Sequence, residues 1–210
     1  MADIRVFTQS SIRIACTEGV VYFDPFRMDA EPHDADLVLI THDHYDHFSP
    51  EDIERVRRAD TVFVVPTRLE SQAREALGDM AEIHTVVPGE HHQVAGVDFD
   101  TVASYNIGKA FHPKSAGWVG YVLKVDGQRV YVAGDTDATP EAKAVTCDVA
   151  LVPIGGTYTM DAREAAGLVN AIAPKLAIPT HYGSIVGRMG DADDFAAAVN
   201  PGIKVEVQIR

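Results

Sequence analysis

Apolar and polar positions alternate at two periods along the chain. Near the N-terminus, Ile4 to Phe7, Ser11 to Ala15 and Val20 to Phe23 form short alternating or apolar runs. Polar breaks at Gln9-Ser10 and Glu18-Gly19 separate them, so each run predicts a strand. Asp36 to Ile40 is a further short apolar strand. Strands and helices then alternate. Ser49-Pro50 supplies a hydroxyl N-cap and a proline for the first helical position, which predicts a helix to Arg58. Thr61 to Val65 reads as a buried strand. Thr67 opens a second helix, with Glu70 three residues on to complete a capping box. Ile83 to Val87 is again a strand. From Gln93 the pattern returns to β, with Val94 to Val102, Val119 to Val125 and Arg129 to Ala133 as strands and Asp126-Gly127 as a hairpin turn. Thr139-Pro140 opens a short helix, Asp148 to Pro153 is a buried strand, and Asp161 with Glu164 caps a helix to about Ile172. A strand over Lys175 to Ile178, a helix over Asp191 to Val199 and a strand over Ile203 to Ile209 close the pattern. Strands leading each half, with helices between, fit two packed sheets with helices outside. No linker, repeat or low-complexity stretch interrupts the chain, so residues 1–210 read as one domain.

Composition narrows the setting. At 46% hydrophobic and 23% charged, the chain has the makeup of a soluble globular protein. No apolar run approaches membrane-spanning length, and the start of the chain lacks the basic-then-apolar order of a signal peptide. A cytoplasmic address is the default expectation. Cys16 and Cys147 can in principle pair, but without export signals two reduced, buried thiols are the simpler reading. Neither belongs to a Cys-x-x-Cys spacing. Eighteen basic against 31 acidic residues give a formal charge of −13, which argues against an extended nucleic-acid track. Arg55, Arg57 and Arg58 make at most a short basic stripe on the first helix. A small anionic substrate stays possible, because a local metal site dominates the field near itself. Homo-oligomerisation is left open.

The chemistry concentrates at Thr41 to His47, Thr-His-Asp-His-Tyr-Asp-His. His42, His44, Asp46 and His47 place four metal-capable side chains on a tight loop between an apolar strand and a helix. Imidazole nitrogens and carboxylate oxygens suit a borderline divalent ion such as zinc. Four ligands on so short a loop crowd a single tetrahedral ion. Two adjacent ions relieve that crowding, one on His42 and His44 and the other on Asp46 and His47.

His-x-His-x-Asp-His after an apolar strand resembles the signature of the metallo-β-lactamase superfamily. The resemblance implies an α/β (α+β) fold, a four-layer αββα sandwich with one or two metal ions at the edge of the sheets. It also implies the remaining ligands. Gly134-Asp135-Thr136-Asp137 follows an apolar strand, and Asp135 matches the superfamily aspartate that bridges two metals, with Asp137 as a supporting residue or local cap. Pro179-Thr180-His181-Tyr182-Gly183 places His181 at the late-strand ligand position. His112 precedes the strand leading to Asp135 and matches by order, although the usual Gly-His pair is absent and Asn106 is a rival. His84, inside a strand pattern, and His91-His92, in a turn after Pro88-Gly89 and before a strand, read as structural. Asp24, in Phe23-Asp24-Pro25, matches a position that holds a ligand histidine or its loop, or else is a turn aspartate. Within the superfamily the chain looks most like the compact branch that contains ascorbate-6-phosphate lactonase and a group of uncharacterised metal-dependent hydrolases. The cues are Phe23-Asp24-Pro25, the run from Leu151 to Asp161, and Pro179 to Gly183.

A hydrolase follows from this. Two divalent ions, Zn2+ by preference with Mn2+ or Fe2+ as alternatives, lower the pKa of water so that hydroxide exists at neutral pH, and polarise the substrate oxygen. Asp46 and Asp135 are the proton-accepting candidates. Lys109, Lys114, Tyr158 and Tyr182 are candidates for substrate contact, and Gly155-Gly156 offers backbone donors for an oxyanion. For each lysine a solvated side chain is the competing reading. The expected substrate is an ester, lactone or phosphodiester of a small soluble compound. Two other classes use the same ligands: a di-iron redox protein, and a metal-binding regulator without catalysis.

Overall fold

Two sheets divide the strands in chain order. The structure, a computed structural model, describes residues 2–209. The first sheet runs β1 (Asp3–Val6), β2 (Ile12–Cys16), β3 (Gly19–Phe23), β4 (Ala35–Leu39), β5 (Arg57–Pro66) and β6 (Glu82–Val86), each beside its sequence neighbour. Strands β1 to β3 pair antiparallel, and β3 to β6 pair parallel. The second sheet holds β7 (His91–Val94), β8 (Val97–Ala103), β9 (Val119–Val125), β10 (Gln128–Val132), β11 (Val149–Pro153), β12 (Leu176–Thr180) and β13 (Lys204–Val205), again in sequence order across the sheet. It is antiparallel from β7 to β10 and parallel from β10 to β13.

Period-2 patterning explains the layers. On β4, Leu37 and Leu39 face the second sheet in the core that also holds Phe99, Tyr121 and Leu123. Their neighbours Val38 and Ile40 face the other way, onto Ile53 and Val56 of α1 (Pro50–Val56) and Ala73 and Leu77 of α2 (Glu70–Leu77). Each such leucine or isoleucine, fully buried, contributes about 1.5–3 kcal/mol relative to exposure. Strand β11 is buried at every position, as a central parallel strand covered on both faces must be. Its outer cover is α3 (Pro140–Lys143), α4 (Ala162–Ile172) and α5 (Asp191–Ala198), through Leu168, Val169 and Phe195. The result is the expected helix–sheet–sheet–helix sandwich. Among the described residues no helix is long and apolar enough to cross a membrane.

Several local expectations hold. Asp126 and Gly127 both take positive φ, 48° and 72°, as a two-residue hairpin turn requires. Asp161 and Glu164 form a complete capping box on α4. Others need correction. Helix α1 stops at Val56, because Arg57 turns extended and joins β5. Arg57 and Arg58 are therefore not a helical stripe; they pair with Glu54 and with Asp36 and Asp60. The capping box at Thr67 does not form. Its hydroxyl donates to the Val86 carbonyl on β6, and Thr67–Leu69 is a single 3-10 turn before α2. The run Val94 to Val102 is two strands, split where Ala95 and Gly96 take positive φ, so His91 and His92 lie in a strand and not in a turn. The last strand is only Lys204–Val205. Beyond it, Gln208 uses its side chain to bond the β1 backbone at Ile4 and Val6.

Candidate metal centre

The loops leaving β4, β8, β10 and β12 converge, and their side chains meet at one end of the two sheets. The first of them is fixed by Asp24, which follows β3 with φ of 43° and is fully buried. Its carboxylate accepts from Thr41 N at 2.8 Å and Thr41 Oγ1 at 2.6 Å, and lies 2.7 Å from His47 Nδ1. One carboxylate thus anchors both ends of the Thr41–His47 loop. Because the Thr41 hydroxyl donates to Asp24, its oxygen is free to accept from His42 Nδ1, 3.0 Å away. Both histidines are thereby turned so that Nε2 faces inward. Backbone donors His47 N and Phe48 N close the turn on the His44 carbonyl.

Three loops bring the remaining groups to this one. His42, His44 and His112 form one cluster, and Asp46, His47 and His181 a second; within each, the candidate ligand atoms lie within 4.8 Å of one another. Asp135 stands between them. Its Oδ2 is 3.4 Å from His112 Nε2 and 3.1 Å from His181 Nε2, and its Oδ1 is 3.3 Å from His47 Nε2. All seven residues singled out as ligands are brought together. The donor set fits divalent ions. Apart from the ion-pair contacts just given, His47 Nε2, His112 Nε2 and Asp135 Oδ1 are buried without a hydrogen-bond partner, an arrangement that a cation would satisfy. His42 Nε2 and His44 Nδ1 lie 3.0 Å apart, so both nitrogens face the same point.

Without a cation, protons balance the charges. Burial lowers the pKa of His47, but Asp135 and Asp24 outweigh it and hold it well above the usual histidine range. Burial likewise opposes the charged form of His181, and Asp135 and Asp46 overcome it, raising His181 to about 9. His42 is pushed well below the usual range, first by burial and then by charge on His47. Burial raises Asp135, yet His181 and His47 bring it well below the ordinary carboxylate value. Asp46, hydrogen-bonded to His181 against the same burial penalty, falls to about 2. The site is a concentrated set of carboxylates and imidazoles that holds positive charge either as protons or as metal.

Supporting residues surround it. Asn106 Oδ1 accepts from His112 N at 3.1 Å and lies 3.0 Å from His112 Nδ1, so it orients His112 from behind. Asp137 ties down the same loop through Ile107 N at 2.8 Å and Lys109 Nζ at 2.7 Å. Gln9, which the sequence pattern showed only as a polar break, is fully buried with φ of 56°. Its Nε2 donates to Asp46 Oδ2 at 3.3 Å, its carbonyl accepts from His181 N at 2.8 Å, and its Oε1 has no partner. Trp118, also not foreseen, packs its ring about 5 Å from those of His42, His44 and His112.

The substrate candidates divide. Tyr158 lines the cleft over the centre, with His44, Tyr45, Asp46, Phe111, His112, Asp135, His181 and Ile185, a space of about 280 Å3. Lys109 does not reach it as a free cation, because Asp137 and the Thr159 carbonyl hold its ammonium. Lys114 pairs with Glu141 and borders a separate groove with Asp100 and Arg129. Tyr182 is fully buried, and its hydroxyl donates to the Ile209 carbonyl. Of the Gly155-Gly156 donors, Gly156 N is taken by the Met160 carbonyl, and a Cβ on Gly155 would collide with the His181 carbonyl, so glycine serves close packing there. His84, His91 and His92 lie on β6 and β7 and pair with nearby acids Glu82, Asp100 and Glu90. Cys16 and Cys147 are free thiols, raised by burial to about 11 and about 12.

Known proteins share the sequence family and the fold. A sequence model described as the beta-lactamase superfamily domain matches residues 3–181. A UPF0173 metal-dependent hydrolase of Thermococcus kodakarensis is 30% identical, over 90% of this chain and 88% of the relative. The crystal structure of a candidate metal-dependent hydrolase from Parabacteroides distasonis superposes with a TM-score of 0.82 at 26% identity, covering 100% of this chain and 94% of that one. Igni18, a metallo hydrolase of Ignicoccus hospitalis, shares the fold with a TM-score of 0.79 at 21% identity, over 98% of this chain and 94% of its own. The chain belongs to the metallo-β-lactamase superfamily, among its metal-dependent hydrolases.

Proposed function

We propose that this hydrolase works with two divalent ions and cleaves an ester, lactone or phosphodiester of a small soluble compound. The observation that carries the reading is the pair of three-residue clusters with Asp135 within 3.4 Å of a histidine of each, and with three buried ligand atoms that lack a hydrogen-bond partner among them. His42, His44 and His112 would hold one ion, Asp46, His47 and His181 the other, and Asp135 both. Five imidazoles with two carboxylates favour zinc over harder ions. Bound there, the ions supply Lewis acidity, lowering the pKa of water and polarising the substrate oxygen.

The chain's own residues do the rest. Asp24 and Thr41 fix the tautomers of His47 and His42, so both present Nε2 to the centre. Asn106 does the same for His112. Trp118, buried against the rings of His42, His44 and His112, closes that side of the centre to water. Asp46 lines the cleft with Oδ2 turned toward Gln9, His47 and His181, leaving Oδ1 as the oxygen to take the proton of the attacking water and return it to the leaving oxygen. Both sheets contribute to one buried core, so we read residues 1–210 as one domain.

The test is a screen of zinc-reconstituted protein against aryl esters, lactones, thioesters and phosphodiesters, with a chelated control. Metal-dependent turnover of at least one class is expected. Visible absorption of the purified protein with no hydrolysis of any class would instead favour redox chemistry at a di-iron centre.

A further inference from the structure

We infer that the cleft over the metal centre takes an uncharged substrate with an apolar acyl group, held by the rings of Tyr45, Phe111 and Tyr158. The inference rests on the hydrolytic reading of the same site and adds the substrate class. These three rings are large and yet 65%, 47% and 37% exposed. Apolar surface gathered around a concave site marks a binding surface, whereas scattered single residues do not. Phe111 and Tyr158 pack edge to face at 4.8 Å and 89°, forming a rigid wall. Tyr45 is braced by Phe26 at 6.0 Å. Each wall is tied to the centre through the chain. Tyr45 lies between His44 and Asp46, Phe111 precedes His112, and Ile185 follows His181 by four positions. An apolar group on these walls therefore sits beside the reacting bond and not at a distant subsite.

The charges argue the same way. Among the described residues no lysine or arginine lines the cleft. The nearby lysines are committed, Lys109 to Asp137 and Lys114 to Glu141. Arg27 lies over the Phe26 ring and donates to the Ser184 hydroxyl at 2.7 Å. Among the described residues that line the cleft, a phosphate or carboxylate on the distal part of a substrate would find no cation, on a chain of formal charge −13. At about 280 Å3 the space suits a short acyl chain.

Binding of hydroxamic acids separates this claim from turnover, since one head group is common and only the tail varies. Titration calorimetry on the zinc-reconstituted protein compares acetohydroxamic acid, butanohydroxamic acid and the mono-hydroxamate of succinic acid. Two added methylenes on an apolar wall should tighten binding about tenfold from acetyl to butanoyl. The carboxylate of the succinyl compound should reverse that gain. Phe111→Ala and Tyr158→Ala, at exposed positions that leave the core intact, should each remove most of the acetyl-to-butanoyl difference. Equal affinities across the series, no detectable binding of any member, tighter binding of the succinyl compound, or an undiminished difference in both variants would overturn the inference. Matched p-nitrophenyl esters run on the same preparation report on hydrolysis separately. If none is cleaved while the tail preference stands, the hydrolytic reading fails and the cleft's selectivity does not.

Discussion

The carboxylate of Asp24 lies 2.7 Å from Nδ1 of His47, and both side chains are fully buried. Asp24 also holds the other end of the loop through Thr41. Removing it leaves the ligands present but free to turn. Asp24→Asn should weaken metal binding about 10–100-fold, the usual cost of losing a buried partner behind a ligand histidine. Competition against a chromophoric chelator measures it, with unchanged affinity contradicting the positioning role.

Asp135→Asn should leave a folded protein with one ion weakly held and turnover reduced on the order of 100-fold or more. A neutral amide cannot balance the charge that Asp135 shares with His47, His112 and His181. Metal content and kcat together check this. Full metal content with near-normal kcat would make Asp135 a turn residue only.

His112→Ala should empty the cluster it forms with His42 and His44, whereas Asn106→Ala should weaken that ion by roughly tenfold, since Asn106 orients His112 and does not face the cluster. His91→Ala and His92→Ala, on β7, should change neither metal content nor activity. Metal loss in the Asn106 variant with a fully loaded His112 variant would exchange their roles.

Between about pH 7 and 9, above the range where the lowered pKa values of His42 and His44 oppose it, the metal-free protein should lose stability as pH rises. His181 sits at about 9 when folded and ~6.5 when unfolded, so the folded state binds the proton more tightly. That stabilisation is complete below about pH 6.5 and fades as pH climbs through about 9. His47, raised in the same direction, adds to it. A bound ion displaces these protons, so the gain in Tm from zinc should grow over the same interval. Thermal melts of chelated and zinc-loaded protein across this range check both slopes; a chelated Tm that rises with pH would contradict the account.

Much of the sandwich was legible because β4 and β5 alternate apolar residues toward two different cores, and β11 is apolar throughout. The ligands of the first loop were legible by density alone, and Asp135, His112 and His181 through resemblance of their local motifs. The lysines misled because their partners are remote: Asp137 is 28 residues from Lys109, and Glu141 is 27 from Lys114, spacings that no local rule detects. Thr67 misled for a related reason, since a carbonyl on a neighbouring strand competes for its hydroxyl. Gln9 was invisible. Its place beside Asp46 and His181 depends on a positive φ at a non-glycine turn and on a contact 172 residues away in sequence.

The central claim is that two ions share Asp135. Elemental analysis of protein produced in zinc-supplemented medium, paired with titration of the chelated protein, tests it most directly. The account predicts close to two tightly held ions per chain in the parent and about one in both His112→Ala and His181→Ala. A parent that binds a single ion at saturation, or none, would contradict it.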